Sequence, residues 1–261
     1  MVPCRRLLFA AASSSLLAPI VMVKGWMSSA GSNLELATNL QRNTDGMPDS
    51  VMRALAAVDR KHYIRRNSGV GAYEDRPQGI SFGVTISAPH MHAHALTTLA
   101  PFILSGSEPS VLDVGSGSGY FAAVVAELLK QQGEGGGISV GIEHIPELVE
   151  WSIENARRDG RDADLQSGRL VLLEGDGFAG YPPSAPYDAI HVGAAPPSVP
   201  QALLEQLKVG GCLLIPVGPD GGNQVFKKIV RTGADAFTEE NLFGVRYVPL
   251  TTREAQLARS W

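Results

Sequence analysis

The spacing of apolar positions changes along the chain, and each change predicts an element. Leu36 and Leu40 lie four apart behind Ser32 and Glu35, a capping-box spacing that predicts one short amphipathic helix. Val51, Leu55 and Val58 fall on one side of a second helix over residues 49–58, entered at Pro48-Asp49. Residues 67–83 are polar, glycine-rich and carry Pro77, so they read as a connecting loop. Ser87 is placed to cap a third helix across Pro89, with Leu96, Leu99 and Ala100 on its inner face. From residue 111 short apolar runs alternate with helical patterns: strands over 111–114, 138–142, 169–173, 188–192 and 212–217, helices over 120–130, 146–158 and 200–207. Such alternation predicts an α/β fold whose mainly parallel sheet is covered on both faces. Two further β-rich segments, 225–231 and 245–250, have no strong helix between them and predict a closing antiparallel pair.

Bulk properties remove several classes. A chain of 261 residues can bury one substantial core without a second domain, and residues 25–261 read as one unit. The net charge of -4 offers no polybasic footprint, which argues against nucleic acid as the main partner. Only two cysteines, Cys4 and Cys212, suit a reducing compartment and cannot build a Cys-rich zinc site. His90, His92 and His94 recur at every second residue, but on a helix only His90 and His94 share a face and no H-E-x-x-H pattern is present. Structural or hydrogen-bonding roles are therefore expected, with no metal. Residues 1–24 differ from the rest: Arg5 and Arg6 precede an apolar stretch interrupted by Ser13, Ser14, Ser15 and Pro19. They read as a targeting segment, or as sequence ahead of a true start at Met22 or Met27. The stretch is short for a membrane span, so no stable membrane association is expected.

The most informative run is Val111-Leu112-Asp113-Val114-Gly115-Ser116-Gly117-Ser118-Gly119-Tyr120, an apolar strand leading through alternate glycines into a helix. Glycine permits the tight turn and the close approach of a ligand, and a helix start presents unpaired N–H groups. Gly115 and Gly117 are therefore candidate ligand contacts. The G-x-G-x-G spacing departs from the dinucleotide G-x-G-x-x-G, and Asp113 disfavours a pyrophosphate while favouring the amino-acid end of a nucleoside cofactor. Glu143 closes the next strand and can accept from two ribose hydroxyls. Asp176, within Gly175-Asp176-Gly177, suits an adenine amino group, although aspartate there also serves as a turn residue. The pattern favours S-adenosylmethionine over NAD. Asp188 reads as a strand start, His191 as a residue ordering an acceptor loop, and Ala194-Ala195 as a small-residue edge that a peptide backbone could approach.

The blocks Thr85-Ile86-Ser87-Ala88-Pro89-His90-Met91-His92-Ala93, Leu112 to Gly119, Tyr187-Asp188-Ala189-Ile190-His191-Val192-Gly193-Ala194-Ala195 and Tyr247-Val248-Pro249-Leu250-Thr251 carry a closer likeness. With these blocks the chain from Ser28 onward resembles the protein-L-isoaspartate O-methyltransferase family. The resemblance implies a doubly wound seven-stranded methyltransferase sheet, mostly parallel, with a reversed antiparallel strand near the C-terminus. It implies methyl transfer from S-adenosylmethionine to the free α-carboxylate of L-isoaspartyl residues in damaged proteins, carried out by a cytoplasmic monomer. As cofactor contacts it carries over Val84, Thr85, Ile86, Ser87, His92, Asp113, Glu143, Asp176, Gly177, Thr251 and Gln256. It sets Ser87, Ala194, Ala195 and Val248 at the substrate cleft. Ser87 on its own reads equally as a helix cap or an active-site hydroxyl; the resemblance makes it the acceptor-side catalytic residue. A carboxylate acceptor is ionised at neutral pH, so alignment and water exclusion are needed and a strong general base is not. The competing readings are an NAD-dependent oxidoreductase, a binding module without turnover, and methylation of a small molecule or RNA.

Overall fold

The computed structural model describes residues 8–9, 27–65, 71–133 and 136–258. The extension expected over residues 1–24 lies outside these apart from β1 (Leu8–Phe9), which pairs in parallel with the far edge of the main sheet. Helix α1 (Asn33–Asn43) starts where expected, the Ser32 hydroxyl accepting from the Glu35 N–H, and α2 (Asp49–Ala57) follows.

The stretch read as a loop is not wholly one. Residues 78–86 form a hairpin of β2 (Gln78–Ser81) and β3 (Val84–Ile86). Gln78 and Ile80 are buried while Gly79 and Ser81 are exposed, a period of two that the surrounding glycines hide. Ser81 and Phe82 turn the hairpin with φ of 99° and 51°, a left-handed backbone uncommon for residues with side chains. Helix α3 (Pro89–Ile103) follows, and the cap expected from Ser87 is absent: the cap position is Ala88 and it makes no side-chain bond. Asp75 Oδ1 accepts from the His90 N–H at 2.9 Å instead, so a residue distant in sequence satisfies the first turn.

From there the chain alternates β4 (Ser110–Val114), α4 (Tyr120–Lys130), β5 (Ile138–Glu143), α5 (Pro146–Arg158), the short α6 (Asp162–Gln166), β6 (Leu170–Glu174), β7 (Tyr187–Val192), α7 (Gln201–Glu205) and β8 (Leu207–Val217). It closes with β9 (Gln224–Arg231), β10 (Ala236–Val245) and α8 (Arg253–Leu257). The main sheet has the order β1-β10-β9-β8-β7-β4-β5-β6. Strands β4 to β8 are parallel, and β9 runs antiparallel to both β8 and β10. The seven strands β4 to β10 are the mostly parallel sheet with reversed C-terminal pairing that the sequence predicts. Alternate side chains feed two cores: Val111, Ala189, Cys212 and Leu214 face the one built with α1 to α5, while Leu112, Ile190, Leu213 and Ile215 face the one shared with α7.

The second antiparallel strand lies earlier than expected, at β10 and not over residues 245–250. Its polar residues, among them Glu239 and Glu240, are mostly exposed, so its ladder with β9 leaves no apolar signature. Residues 246–252 instead cross the carboxyl ends of the strands as a strap. The Ala195 N–H donates to the Val248 carbonyl at 2.8 Å and the Leu250 N–H to the Ala195 carbonyl at 2.9 Å. Chain order reverses at β4, with β5 on one side and β7 on the other, which opens a crevice at their carboxyl ends under this strap. Among the described residues no helix is long and apolar enough to cross a membrane.

Two outcomes follow from this packing. A Cβ on Gly177 would lie 2.7 Å from Leu250 Cδ1 and 2.9 Å from Val114 Cγ1. Gly177→Ala is expected to cost about 1–3 kcal/mol in denaturant unfolding by displacing the strap. On α3, His92 is buried against Tyr120 and Phe121, and burial pushes its imidazole well below its ordinary pKa, as it also lowers His94. Below about pH 6.5 the unfolded chain then binds more protons than the folded one, so stability present above that pH is lost as pH falls. His92→Phe is expected to lessen this loss by up to about 1.4 kcal/mol per pH unit, His94 retaining its own share; urea midpoints across the range test it, and an unchanged slope contradicts it.

Candidate active site

The crevice is built outward from the turn after β4. Gly115, Gly117 and Gly119 have φ of 71°, 50° and 81°, the left-handed backbone that glycine adopts without penalty. The N–H groups of Gly115 and Ser116 both donate to the Ile142 carbonyl, at 2.9 and 3.0 Å. The Gly117 N–H donates to Glu143 Oε2 at 3.3 Å and the Gly119 N–H to the Ser116 carbonyl at 2.8 Å. In the turn that leads into α4 the N–H groups of these four residues are therefore consumed within the protein, one by a carboxylate. An anion gains little here. Gly141 makes the arrangement possible, because a Cβ there would sit 2.9 Å from Ser116 Cβ.

Two carboxylates border the turn. Glu143 Oε1 accepts from the N–H groups of His144 and Ile145 at 2.8 and 3.1 Å, leaving Oε2 with only the longer Gly117 bond. Burial raises the Glu143 pKa, opposed by His144 and these backbone donors. Asp113 and His191 are direct neighbours in the β4–β7 register, with His191 Nδ1 2.7 Å from Asp113 Oδ1. Asp113 Oδ2 is buried without a partner, as is His92 Nδ1. The His191 ring also stacks on Phe121, centroids 4.0 Å apart and planes 21° apart. It was expected to order an acceptor loop; its hydrogen bond and its ring stack join it to β4 and α4.

The predicted residues divide between adjoining hollows. A cleft of about 480 Å³ is lined by Val84, Thr85, Gly115, Glu143, Gly177, Ala194, Val248, Thr251 and Gln256. A second of about 330 Å³ shares Thr85 and Gly115 with it and is lined by Ile86, Ser87, His92, Asp113 and Gly117. Asp176 stands at the outer rim with His144, Glu174 and Arg253; it is exposed, and its Oδ1 accepts from the Phe178 N–H at 2.9 Å, the turn bond weighed against a ligand role. Ala195 lines neither hollow: it is buried, and its backbone anchors the strap. Ser87 lies half-buried between α3 and the strap, its carbonyl accepting from Arg60 at 2.9 Å and its side chain beside the Tyr247 phenol, whose pKa burial raises. Asp188 has the expected strand-start role, accepting from the Ser110 N–H and pairing with Lys208.

Gln256, expected from the resemblance as a cofactor contact, ties the site together, whereas His144 and Gly193 were missed by sequence reasoning. Gln256 joins three segments, its Oε1 2.9 Å from His144 Nε2 and its Nε2 donating to the Phe82 carbonyl at 2.9 Å. His144 carried a faint signal, standing directly after the acidic strand end; Gly193 carried none, although a Cβ there would meet the Gly115 carbonyl at 3.1 Å.

Comparison with known proteins converges on one family. The profile described as Protein-L-isoaspartate(D-aspartate) O-methyltransferase matches residues 31–255. The chain is 43% identical over 235 residues to a Caenorhabditis elegans protein-L-isoaspartate O-methyltransferase, covering 90% of this chain and 99% of that one. It is also 43% identical over 233 residues to protein-L-isoaspartate O-methyltransferase 1 of Arabidopsis thaliana, covering 88% and 96%. Among solved structures, a Plasmodium falciparum protein assigned as a protein-L-isoaspartate O-methyltransferase, in complex with S-adenosyl-L-homocysteine, superposes with a TM-score of 0.74 at 31% identity, covering 86% of this chain and all of that one. A sheet reversed at its C-terminal edge, a glycine turn bordered by two carboxylates and these matches agree: the chain belongs to the protein-L-isoaspartate(D-aspartate) O-methyltransferase family.

Proposed function

We infer that the chain transfers a methyl group from S-adenosylmethionine to the free α-carboxylate of L-isoaspartyl residues in damaged proteins and peptides, initiating their repair. The observation that carries this reading is the family match over residues 31–255. The crevice fits the cofactor chemically: buried Asp113 Oδ2 lacks a donor, Glu143 Oε2 has spare acceptor capacity, and the turn amides that would hold a phosphate are occupied. When bound, S-adenosylmethionine supplies an electrophilic methyl carbon on a sulfonium.

The chain's own residues divide the remaining work. Asp113 receives the cofactor's ammonium group, Glu143 its ribose hydroxyls, and Asp176, through the oxygen its turn bond leaves free, the adenine amino group. Gly115, Gly117 and Gly177 allow close approach; Val84, Thr85, Ile86, His92, Thr251 and Gln256 form the walls. Ser87 orients the acceptor carboxylate by donating its hydroxyl to one oxygen, so that the other is free to attack. Ala194 and Val248 form the edge along which the peptide backbone lies, and buried Ala195 holds that edge to the strap. The strap and α8 exclude competing water. The methyl ester carbonyl is open to attack where a carboxylate, which would have to expel oxide, is not. The next peptide nitrogen bonds to that carbonyl carbon, its proton leaves with the methoxide as methanol, and the resulting succinimide is hydrolysed in part to a normal aspartyl bond. We extend the reading to a monomer acting in the cytoplasm, supported by a cysteine count that suits a reducing compartment.

Incubation with S-adenosylmethionine labelled in its methyl group and matched peptides is expected to label the isoaspartyl peptide and leave the aspartyl one unlabelled; equal labelling of both, or of neither, overturns the assignment. Ser87→Ala is expected to lower turnover by roughly tenfold to a hundredfold while leaving cofactor affinity near wild type, because it removes one donor to the acceptor oxygen. Full activity in that variant would leave Ser87 with its backbone role alone.

A further inference from the structure

Asp113 is held by a single side-chain partner, and the partner's geometry decides where its remaining oxygen points. The two residues are cross-strand neighbours at the carboxyl ends of β4 and β7, and both are nearly completely buried. The bond joins His191 Nδ1 to Asp113 Oδ1 at 2.7 Å. A carboxylate can only accept, so Nδ1 carries the proton. The imidazole plane is fixed in turn by its stack on Phe121, a residue of α4 that is itself buried. Asp113 lines the hollow that Ser87 also lines, and its Oδ2 is buried with no protein donor. A pair serving only to stabilise the fold would satisfy both oxygens, since an unmet buried acceptor is costly.

We propose that His191 is a positioning residue for the cofactor: by holding Oδ1 through Nδ1, it keeps Oδ2 of Asp113 aimed at the ammonium group of S-adenosylmethionine. The inference rests on the methyltransferase reading above and adds to it a residue of the same hollow that acts through Asp113. Phe121 completes the device by preventing the ring from rotating out of line with the carboxylate. The role needs an N–H at the Nδ1 position and nothing from Nε2. Asparagine and glutamine therefore separate it from simple packing: the asparagine amide nitrogen falls near the Nδ1 position, and the glutamine nitrogen falls near Nε2.

Calorimetric titration of the full chain with S-adenosylmethionine and with S-adenosylhomocysteine tests this, together with steady-state kinetics on an isoaspartyl peptide. His191→Gln is expected to weaken affinity for both by roughly tenfold to a hundredfold, the range for a bond to a charged group, with KM for the peptide unchanged. His191→Asn is expected to restore most of that loss. Equal affinity in wild type and both variants, or equal loss in both, would overturn the proposal, the second result marking a packing role. Should the glutamine variant fail to fold, imidazole 15N spectra of the ligand-free wild type still decide: a proton on Nδ1 of His191 is expected, and a bare Nδ1 overturns the proposal. Wild type that binds neither ligand would instead overturn the methyltransferase reading itself.

Discussion

The Ile142 carbonyl is the point on which the crevice depends. By accepting from both Gly115 and Ser116 it folds the chain after β4 across the end of β5, and Gly141 leaves room for Ser116 to settle there. The same bonds set the chemistry of the ligand. With the amides of Gly115, Ser116, Gly117 and Gly119 all spent inside the protein, the turn itself offers little to a phosphate. Asp113 and Glu143 border the same turn, so a ligand that donates hydrogen bonds or carries positive charge is favoured. One geometric fact thus turns a fold that elsewhere binds dinucleotides toward a sulfonium nucleoside.

Closure of the crevice comes from distant parts of the chain. The strap is tied to Ala195 by two backbone bonds, and α8 is tied through Gln256 to both His144 and the strained hairpin at Phe82. The hairpin, the second strand end and the C-terminus therefore meet around one side chain. Ile80 and Ile86 anchor the hairpin in one core and Leu250 anchors the strap in the other, and the hydrogen bonds then fix where these segments meet. Gly177 and Gly193 matter for the same reason: each leaves a gap into which another segment fits.

On the acceptor side the same economy holds. Ser87 is released from capping α3 because Asp75 does that work, which leaves its hydroxyl beside the Tyr247 phenol at the edge of the lower hollow. Arg60 fixes the Ser87 peptide from behind. A hydroxyl so placed can orient a carboxylate by exchanging its contact with the Tyr247 phenol, leaving the cap on α3 untouched.

The sequence alone determined the elements whose signals are local. Helices α4 and α5 fall on the residues their periodicity predicts, and β4 to β7 differ from expectation only at their ends, because buried parallel strands and amphipathic helices write their environment into consecutive residues. Asp113, Glu143 and the glycine turn were legible for the same reason, and the block around Ser87 and the C-terminal block marked the family. Only the tertiary structure decided the rest. The β2–β3 hairpin pairs only within itself and is seated by Ile80 and Ile86 in the core, and β10 pairs with β9 through mostly exposed polar residues, so neither gave a strand signature. The cap on α3, the filling of the turn amides and the pairing of His191 with Asp113 join residues far apart in the chain or on neighbouring strands. A sequence read along its length records which groups are present; which donor meets which acceptor is fixed only when the strands come into register.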